Sequence, residues 1–456
     1  IGMVLISNIY NMSACVRVLL CSFAVIFLSS GVMAQEAVGI TLKEVLEIGG
    51  ANNLTLKEYD ARMKLSEAKV VKNKEWWLPS LFAGVRTNQL YGTAMNGNGN
   101  FFLDVNRNNM WLGLGLNADW DFAEGLFSLK ASVLRNEVSK FQSEAKRNQI
   151  LLESINAYYS MMEAQHTMRV YQNLIDESNL IIRQIQLQID AGLRYESDVL
   201  LAKTNKNHLM VEMLNAEKIY NVHSAELVNL LNITKEVQLR SADSLLVPLN
   251  YELKISENNT SQFTNRPEYK AIELEIGALT VQKKTFTTGL FIPDLNINTY
   301  GSYFGRINDD VSPMDPITYP TTNQLYPTSS INLSLGWKLP LGAIIYKGDR
   351  KKLDSKILIK EIEKEKFKAH VKQEITMAKS NIQIGIQQIG FADEAMKYSA
   401  EALLQSIQRQ KHGTAQPFEV FQTQELYLKS QLDYLHAVSE YNKSQFALKY
   451  AKGESF

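Results

Sequence analysis

The sequence has no excess charge of either sign: 48 basic and 48 acidic side chains cancel. That removes the basic surplus that nucleic-acid binding normally demands, so no nucleic acid is expected as partner. Cysteine is almost missing, and both copies, Cys15 and Cys21, fall within the first 34 residues. Those residues read as an export signal. Arg17 precedes an apolar run over 18–28, and Val32 and Ala34 supply the small residues of a cleavage site. The run is short for a membrane span. Removal of 1–34 leaves no cysteine, which excludes disulfide and thiolate chemistry. Catalytic signatures are lacking too: no P-loop, HExxH or GxSxG occurs. The six histidines (His166, His208, His223, His370, His412 and His436) show no metal-ligand spacing. A non-enzyme without cofactor or metal is expected.

What is present is a pattern that occurs twice. In the first copy Leu112, Leu114, Leu116, Ala118, Trp120 and Phe122 alternate with Trp111, Gly113, Gly115, Asn117, Asp119 and Asp121. In the second, Ile331, Leu333, Leu335, Trp337 and Leu339 alternate with Asn332, Ser334, Gly336 and Lys338. Period-two alternation places the two sets on opposite faces of a strand. Each has an antiparallel companion upstream, with Leu81, Ala83, Val85 and Thr87 on one face of the first and Leu295, Ile297 and Thr299 on one face of the second. Runs of about 10 residues are what a tilted strand needs to cross a bilayer. Four strands are too few for a barrel, which takes about 8 or more. Since unpaired strand edges are not tolerated in lipid, several copies must share one barrel.

Proline is scarce, with ten in the chain, and it marks the ends of long helical stretches. A helix over 41–77 is predicted to end at Pro79. A Gly- and Asn-rich segment, 92–109, reads as a solvated loop. The proline-free stretch 127–190 predicts a helix on the order of 95 Å long. Within it Tyr171, Ile175, Ser178, Ile182, Ile185 and Ile189 form a heptad seam. Gly192 suits the turn into a second helix over 196–231, completing an αα-hairpin. The second copy repeats the sequence of events. Pro267 opens a helix after Arg266, Pro293 ends it, and a loop over 306–330 carries four prolines. A helix over 351–410 then turns at Gly413 into a last helix from Pro417 to about residue 452. In that helix Val420, Tyr427, Tyr434, Tyr441 and Leu448 recur every seven residues. Equivalent landmarks lie 214 (Pro79 to Pro293), 217 (Trp120 to Trp337) and 221 (Gly192 to Gly413) residues apart. The expected organisation is a signal (1–34), a first repeat (40–232), a linker (233–264) and a second repeat (265–453).

These pieces resemble the TolC-like outer-membrane efflux proteins. The resemblance is carried by EWWLPSL at 75–81 and LFIPDL at 290–295, where helix gives way to strand. It is carried also by the turns AGLRYESDVL at 191–200 and HGTAQPFEVF at 412–421. It implies a mixed α and β membrane protein: a homotrimer in which four strands from each of three protomers close a 12-stranded barrel in outer-membrane lipid. The helices are then a periplasmic α-barrel. It implies a passive conduit for small molecules or proteins, joined to an inner-membrane transporter by a periplasmic adaptor protein. The other readings are a periplasm-spanning structural tether and a general diffusion channel without an efflux partner. In the family, the turns form the periplasmic gate, which points here to Gly192, Arg194, Asp198, Gly413, Glu419 and Gln422. Asp198 matches a family gate aspartate, and Glu419 is its counterpart. Ala415 stands where an arginine partner is expected, and Gln422 where some members carry an aspartate. Both acids also suit a helix N-terminus on electrostatic grounds alone. Trp111, Trp120, Trp337, Tyr300 and Tyr303 are candidates for an aromatic girdle at the membrane interface, or for packing within the hairpins.

Overall fold

The computed structural model describes residues 37–95, 97–235, 237–249, 262–306, 325–454 and 456. The export-signal segment, part of the linker and most of the proline-rich loop lie outside the described residues. Among those described, no helix is long and apolar enough to cross a membrane. The chain forms two compact units, each drawing on both sequence repeats.

One unit comprises the described residues within 37–53, 150–249 and 381–446. Strand β1 (Ala37–Ile40) pairs in parallel with β4 (Gln238–Ser241). Helix α1 (Leu42–Asn52) starts in a capping box, with the Thr41 amide donating to Glu44 Oε2 at 2.8 Å and the Glu44 amide to Thr41 Oγ1 at 3.3 Å. It stops at Asn53, well short of Pro79, so the helix expected over 41–77 is broken in two. Asn53 leaves helical backbone geometry, with ψ at 132°, and its Nδ2 donates to the Leu230 carbonyl at 2.7 Å, a tertiary bond that holds the break in place. The unit also contains most of α3 (Phe122–Asp190), all of α4 (Glu196–Leu230), the end of α7 (Gly348–Lys411) and most of α8 (Pro417–Lys452). Four helices meet in one core cluster: Ile181 and Ile185 of α3, Val199 and Ala202 of α4, Leu403 of α7 and Val420 of α8. The heptad seam is the reason, since Tyr171, Ile175, Ser178 and Ile185 are all buried and Ile182 and Ile189 pack beside them. The segment after β4 is held by side chains rather than by a sheet. Tyr158 Oη donates to Asp243 at 2.5 Å, and Asn442 accepts from the Leu249 amide and donates to the Val247 carbonyl, both at 2.9 Å.

The other unit comprises the described residues within 54–149, 262–380 and 447–456. Helix α2 (Leu54–Lys74) ends in one 3₁₀ turn, and Leu78 turns extended because Pro79 follows. Strands β2 (Ser80–Met95), β3 (Phe101–Asp121), β5 (Asp294–Arg306) and β6 (Leu325–Gly336) form one antiparallel sheet in the order β2-β3-β5-β6. The loop expected over 92–109 is mostly strand. Met95 pairs with Phe101, leaving a short turn between, and the register shifts between Gly92 and Ala94. Backbone pairing with the opposite strand outweighs the polar composition there. Helix α3 begins directly after β3, where Asp121 Oδ1 accepts the Glu124 amide at 2.7 Å.

Helix α5 (Pro267–Lys283) begins with proline in its first turn, after Arg266. That arginine is a hub. Its guanidinium is 4% exposed, pairs with Glu268 at 2.8 Å and Glu374 at 3.1 Å, and stacks 4.1 Å from the Tyr450 ring centre. Burial opposes the charge on Glu268, but Arg266's hydrogen bonds and charge outweigh it and hold the carboxyl below its usual range. Burial pushes the Tyr450 phenol up to about 12. A short helix, α6 (Leu341–Ile345), precedes α7.

Candidate functional site

The two hairpin turns are built alike. Gly192 and Gly413 have φ of +73° and +74°, a region that only glycine occupies freely. At the first turn the Gly192 amide donates to the Ile189 carbonyl at 2.8 Å and the Leu193 amide to Gln188 at 2.8 Å. At the second, Gly413 donates to Gln410 at 3.0 Å and Thr414 to Arg409 at 2.9 Å. Each pair is a Schellman motif, which satisfies the last carbonyls of the incoming helix.

The remaining turn residues are placed as follows. Arg194 sits with its Nη1 3.8 Å from Asp198 Oδ2, and the two side chains are 12% and 21% exposed. Its Nη2 donates to the Ala415 carbonyl at 2.6 Å. Arg194 and Ala415 are 221 residues apart, the same interval as Gly192 and Gly413, so the arginine bonds the backbone at its own counterpart in the second repeat. Glu419 is paired with Arg409 at 3.3 Å. Sequence reasoning missed Arg409, which lies a turn before Gly413. Its signal was available: a cation at the end of a helix, facing an acid at the start of the next. Gln422 is exposed on α8. Beside the turns a further link joins the two hairpins, from Gln188 Nε2 to the Gln410 carbonyl at 3.3 Å. Gln410 is fully buried, and among the described residues neither of its amide atoms has a partner.

The sheet separates its side chains by face. In register, Leu81, Leu116, Thr299 and Ile331 form one cross-strand row; Ala83, Leu114, Gly301 and Ser329 form another. Ile297 and Leu333, then Leu295 and Leu335, continue this apolar face. Leu114, Ile331, Leu333 and Leu335 are 59% to 79% exposed, so the face is uncovered. The opposite face carries Asn117, Asn298 and Asn332 in one row and Asp119, Asn296 and Ser334 in another, with Asn296 bonded to Asp119.

The five candidate girdle aromatics divide. Tyr303 lies on the apolar face beside Leu112. Trp120 shares that face with Leu295, and its indole N–H donates to the Trp77 carbonyl at 2.6 Å. Trp337, just past β6, does the same to the Phe291 carbonyl at 3.2 Å. Each acceptor lies two residues before the proline that precedes the strand, Pro79 before β2 and Pro293 before β5, so both tryptophans fasten the corner into a strand. Trp111 and Tyr300 lie on the other face, opposite the leucine band, which a lipid-facing girdle does not accommodate.

Among the described residues one group could gather metal-ligand atoms: Glu163 of α3 with His436 and Glu440 of α8, all within 4.8 Å. Its members are 273 residues apart or more, apart from the i,i+4 pair, so spacing did not reveal it. His436 Nδ1 lies 2.9 Å from Glu163, and Lys443 Nζ lies 2.9 Å from Glu440 and 4.0 Å from Glu163. The lysine already supplies the positive charge, and the group reads as an ion-pair network.

No family model and no curated protein matches the sequence. Solved structures do match. CmeC, an outer-membrane channel of Campylobacter jejuni, has a TM-score of 0.75 at 14% identity, over 90% of this chain and 85% of its own. VceC, an outer-membrane protein of Vibrio cholerae, gives 0.71 at 16%, over 91% and 96%. The MtrE outer-membrane channel of Neisseria gonorrhoeae, in its open state, gives 0.71 at 14%, over 93% and 94%. Identity this low carries the fold and nothing finer: the chain has the fold of the TolC-like outer-membrane channels.

Proposed function

We propose that this chain is the subunit of an outer-membrane conduit. Three copies each contribute the β2-β3-β5-β6 sheet to one 12-stranded barrel, and their helices line a periplasmic tunnel. The observation that carries the reading is the sheet itself. One face is apolar and uncovered, the other is polar, and β2 and β6 stand at its edges. A sheet with an apolar face suits lipid, but its edge N–H and C=O groups must be paired before it can enter. Pairing β2 of one copy with β6 of the next satisfies both edges with no other protein. The likeness to CmeC, VceC and MtrE supports the same assembly. On this reading the turns at Gly192 and Gly413 form the periplasmic mouth, where an adaptor protein links the conduit to an inner-membrane transporter. The cargo is small molecules or exported protein, and passage needs no catalytic group.

The test is the mass and conductance of the purified protein in detergent and then in a planar bilayer. A trimer that forms discrete channels is expected. A stable monomer that keeps its strands would refute the shared barrel, and a trimer that never conducts would favour a tether.

A further inference from the structure

The polar face of the sheet is interrupted by rings. Three successive cross-strand rows read Phe82, Gly115, Tyr300 and Ser330; then Gly84, Gly113, Ser302 and Thr328; then Arg86, Trp111, Phe304 and Tyr326. Two rows with large rings thus flank a row of the smallest side chains. Residues two apart on a strand are about 6.7 Å apart, so the outer rows lie about 13 Å from each other. Trp111 bridges that interval. Its ring stacks on Phe82, with centres 6.3 Å apart and planes at 25°, and meets Tyr300 edge-on at 5.8 Å and 78°. The floor beneath has no room to grow. A Cβ at Gly113 would collide with Ser302, and one at Gly115 with the Phe82 ring.

Two further observations point to a ligand rather than to packing alone. Phe82, Phe304 and Tyr326 are 37% to 46% exposed on a face whose rows toward the helices, from Asn117 to Asp121, are chiefly Asn, Asp and Ser. Ser302, in the small row, is 6% exposed, and among the described residues its hydroxyl has no partner. Exposed rings offer π faces for stacking, while Arg86, in register with Trp111, adds a guanidinium that pairs with an anion.

We propose that Phe82, Trp111, Tyr300, Phe304 and Tyr326, with Arg86, form a contact site inside the barrel for planar aromatic cargo bearing an anionic group. The site rests on the conduit reading and narrows its cargo. Stacking on the Trp111 cluster and the Arg86 charge hold the compound in transit.

The experiment uses the full assembly in lipid nanodiscs with two probes of equal charge, naphthalene-2-sulfonate and cyclohexanesulfonate. Calorimetry should give at least tenfold tighter binding of the naphthalene compound. Trp111→Leu keeps apolar bulk but removes the stacking ring, and it should cost about tenfold. Arg86→Gln, at an exposed position, should weaken both sulfonates several-fold. Tyr303→Leu, on the apolar face, should change neither. In a planar bilayer the naphthalene compound should shorten open times in the wild type and in Tyr303→Leu, but not in Trp111→Leu. Equal binding of the two probes, or a Trp111→Leu protein that binds like the wild type, overturns the site. If Trp111→Leu does not assemble, an Arg86→Gln protein with unaltered sulfonate binding overturns it equally. Failure of the wild type to conduct, with Trp111-dependent binding intact, removes the conduit reading and leaves the site standing.

Discussion

Replacing Arg194 with alanine removes two contacts of unequal worth, and their inequality is what makes the turn testable. A charged donor to a carbonyl contributes about 1.5–3 kcal/mol net, and the bond to Ala415 is short at 2.6 Å. Ala415 is 2% exposed, so its carbonyl has little water to replace the lost donor. The link to Asp198 is looser at 3.8 Å and partly exposed, and such pairs contribute about 0–1 kcal/mol. Arg194→Ala should therefore cost about 2 kcal/mol locally, roughly a 30-fold rise in opening of the second turn. Asp198→Ala loses at the second turn only the weak pair, below about 1 kcal/mol, for a rise of less than about fivefold. The assay is amide hydrogen exchange at Gly413, Thr414 and Ala415, whose amides bond the Gln410 and Arg409 carbonyls. Arg194→Lys keeps one donor and should fall between. An Asp198→Ala effect equal to or larger than that of Arg194→Ala would refute the reasoning, since it would make the ion pair the main fastening.

Trp120→Phe and Trp337→Phe should each lower the melting temperature through a lost hydrogen bond of about 0.5–1.5 kcal/mol. The larger loss is expected at Trp120, whose bond is 2.6 Å against 3.2 Å, and the reverse order would contradict the corner role. Glu177 is a second target. Burial raises its carboxyl above its usual range, and among the described residues its Oε2 is buried without a partner. An acid whose folded pKa is raised binds more protons folded than unfolded, so stability falls as pH rises from its unfolded pKa through the folded one. Glu177→Gln should therefore stabilise the protein at neutral pH and flatten that slope in denaturant titrations across the acid range; a loss of stability at neutral pH would count against it.

How much was legible beforehand depended on how local the physics is. Strand faces follow from alternation, so the band of Leu114, Leu333 and Leu335 could be read without coordinates. The turns were equally legible, because Gly192 and Gly413 answer a backbone demand that few residues meet. Asn53 and the segment 92–109 were misread where a tertiary partner overrode local composition: the Leu230 carbonyl in one case, the paired strand in the other.

The sequence by itself determined the doubled order of strands and long helices, the passage into strand after Pro79 and Pro293, the turns at the two glycines, and the fact that four strands are too few for a barrel of their own. Each is a property of periodicity, backbone restriction or counting. Only the tertiary structure decided that β3 pairs with β5, that Trp111 and Tyr300 cluster with Phe82 on the polar face, and that Arg409 answers Glu419. It alone brought Arg194 to the carbonyl of Ala415. Backbone carbonyls are the same at every residue, so no sequence names the one an arginine will find. Strand register decides which rings become neighbours, and register is settled only when the strands pair.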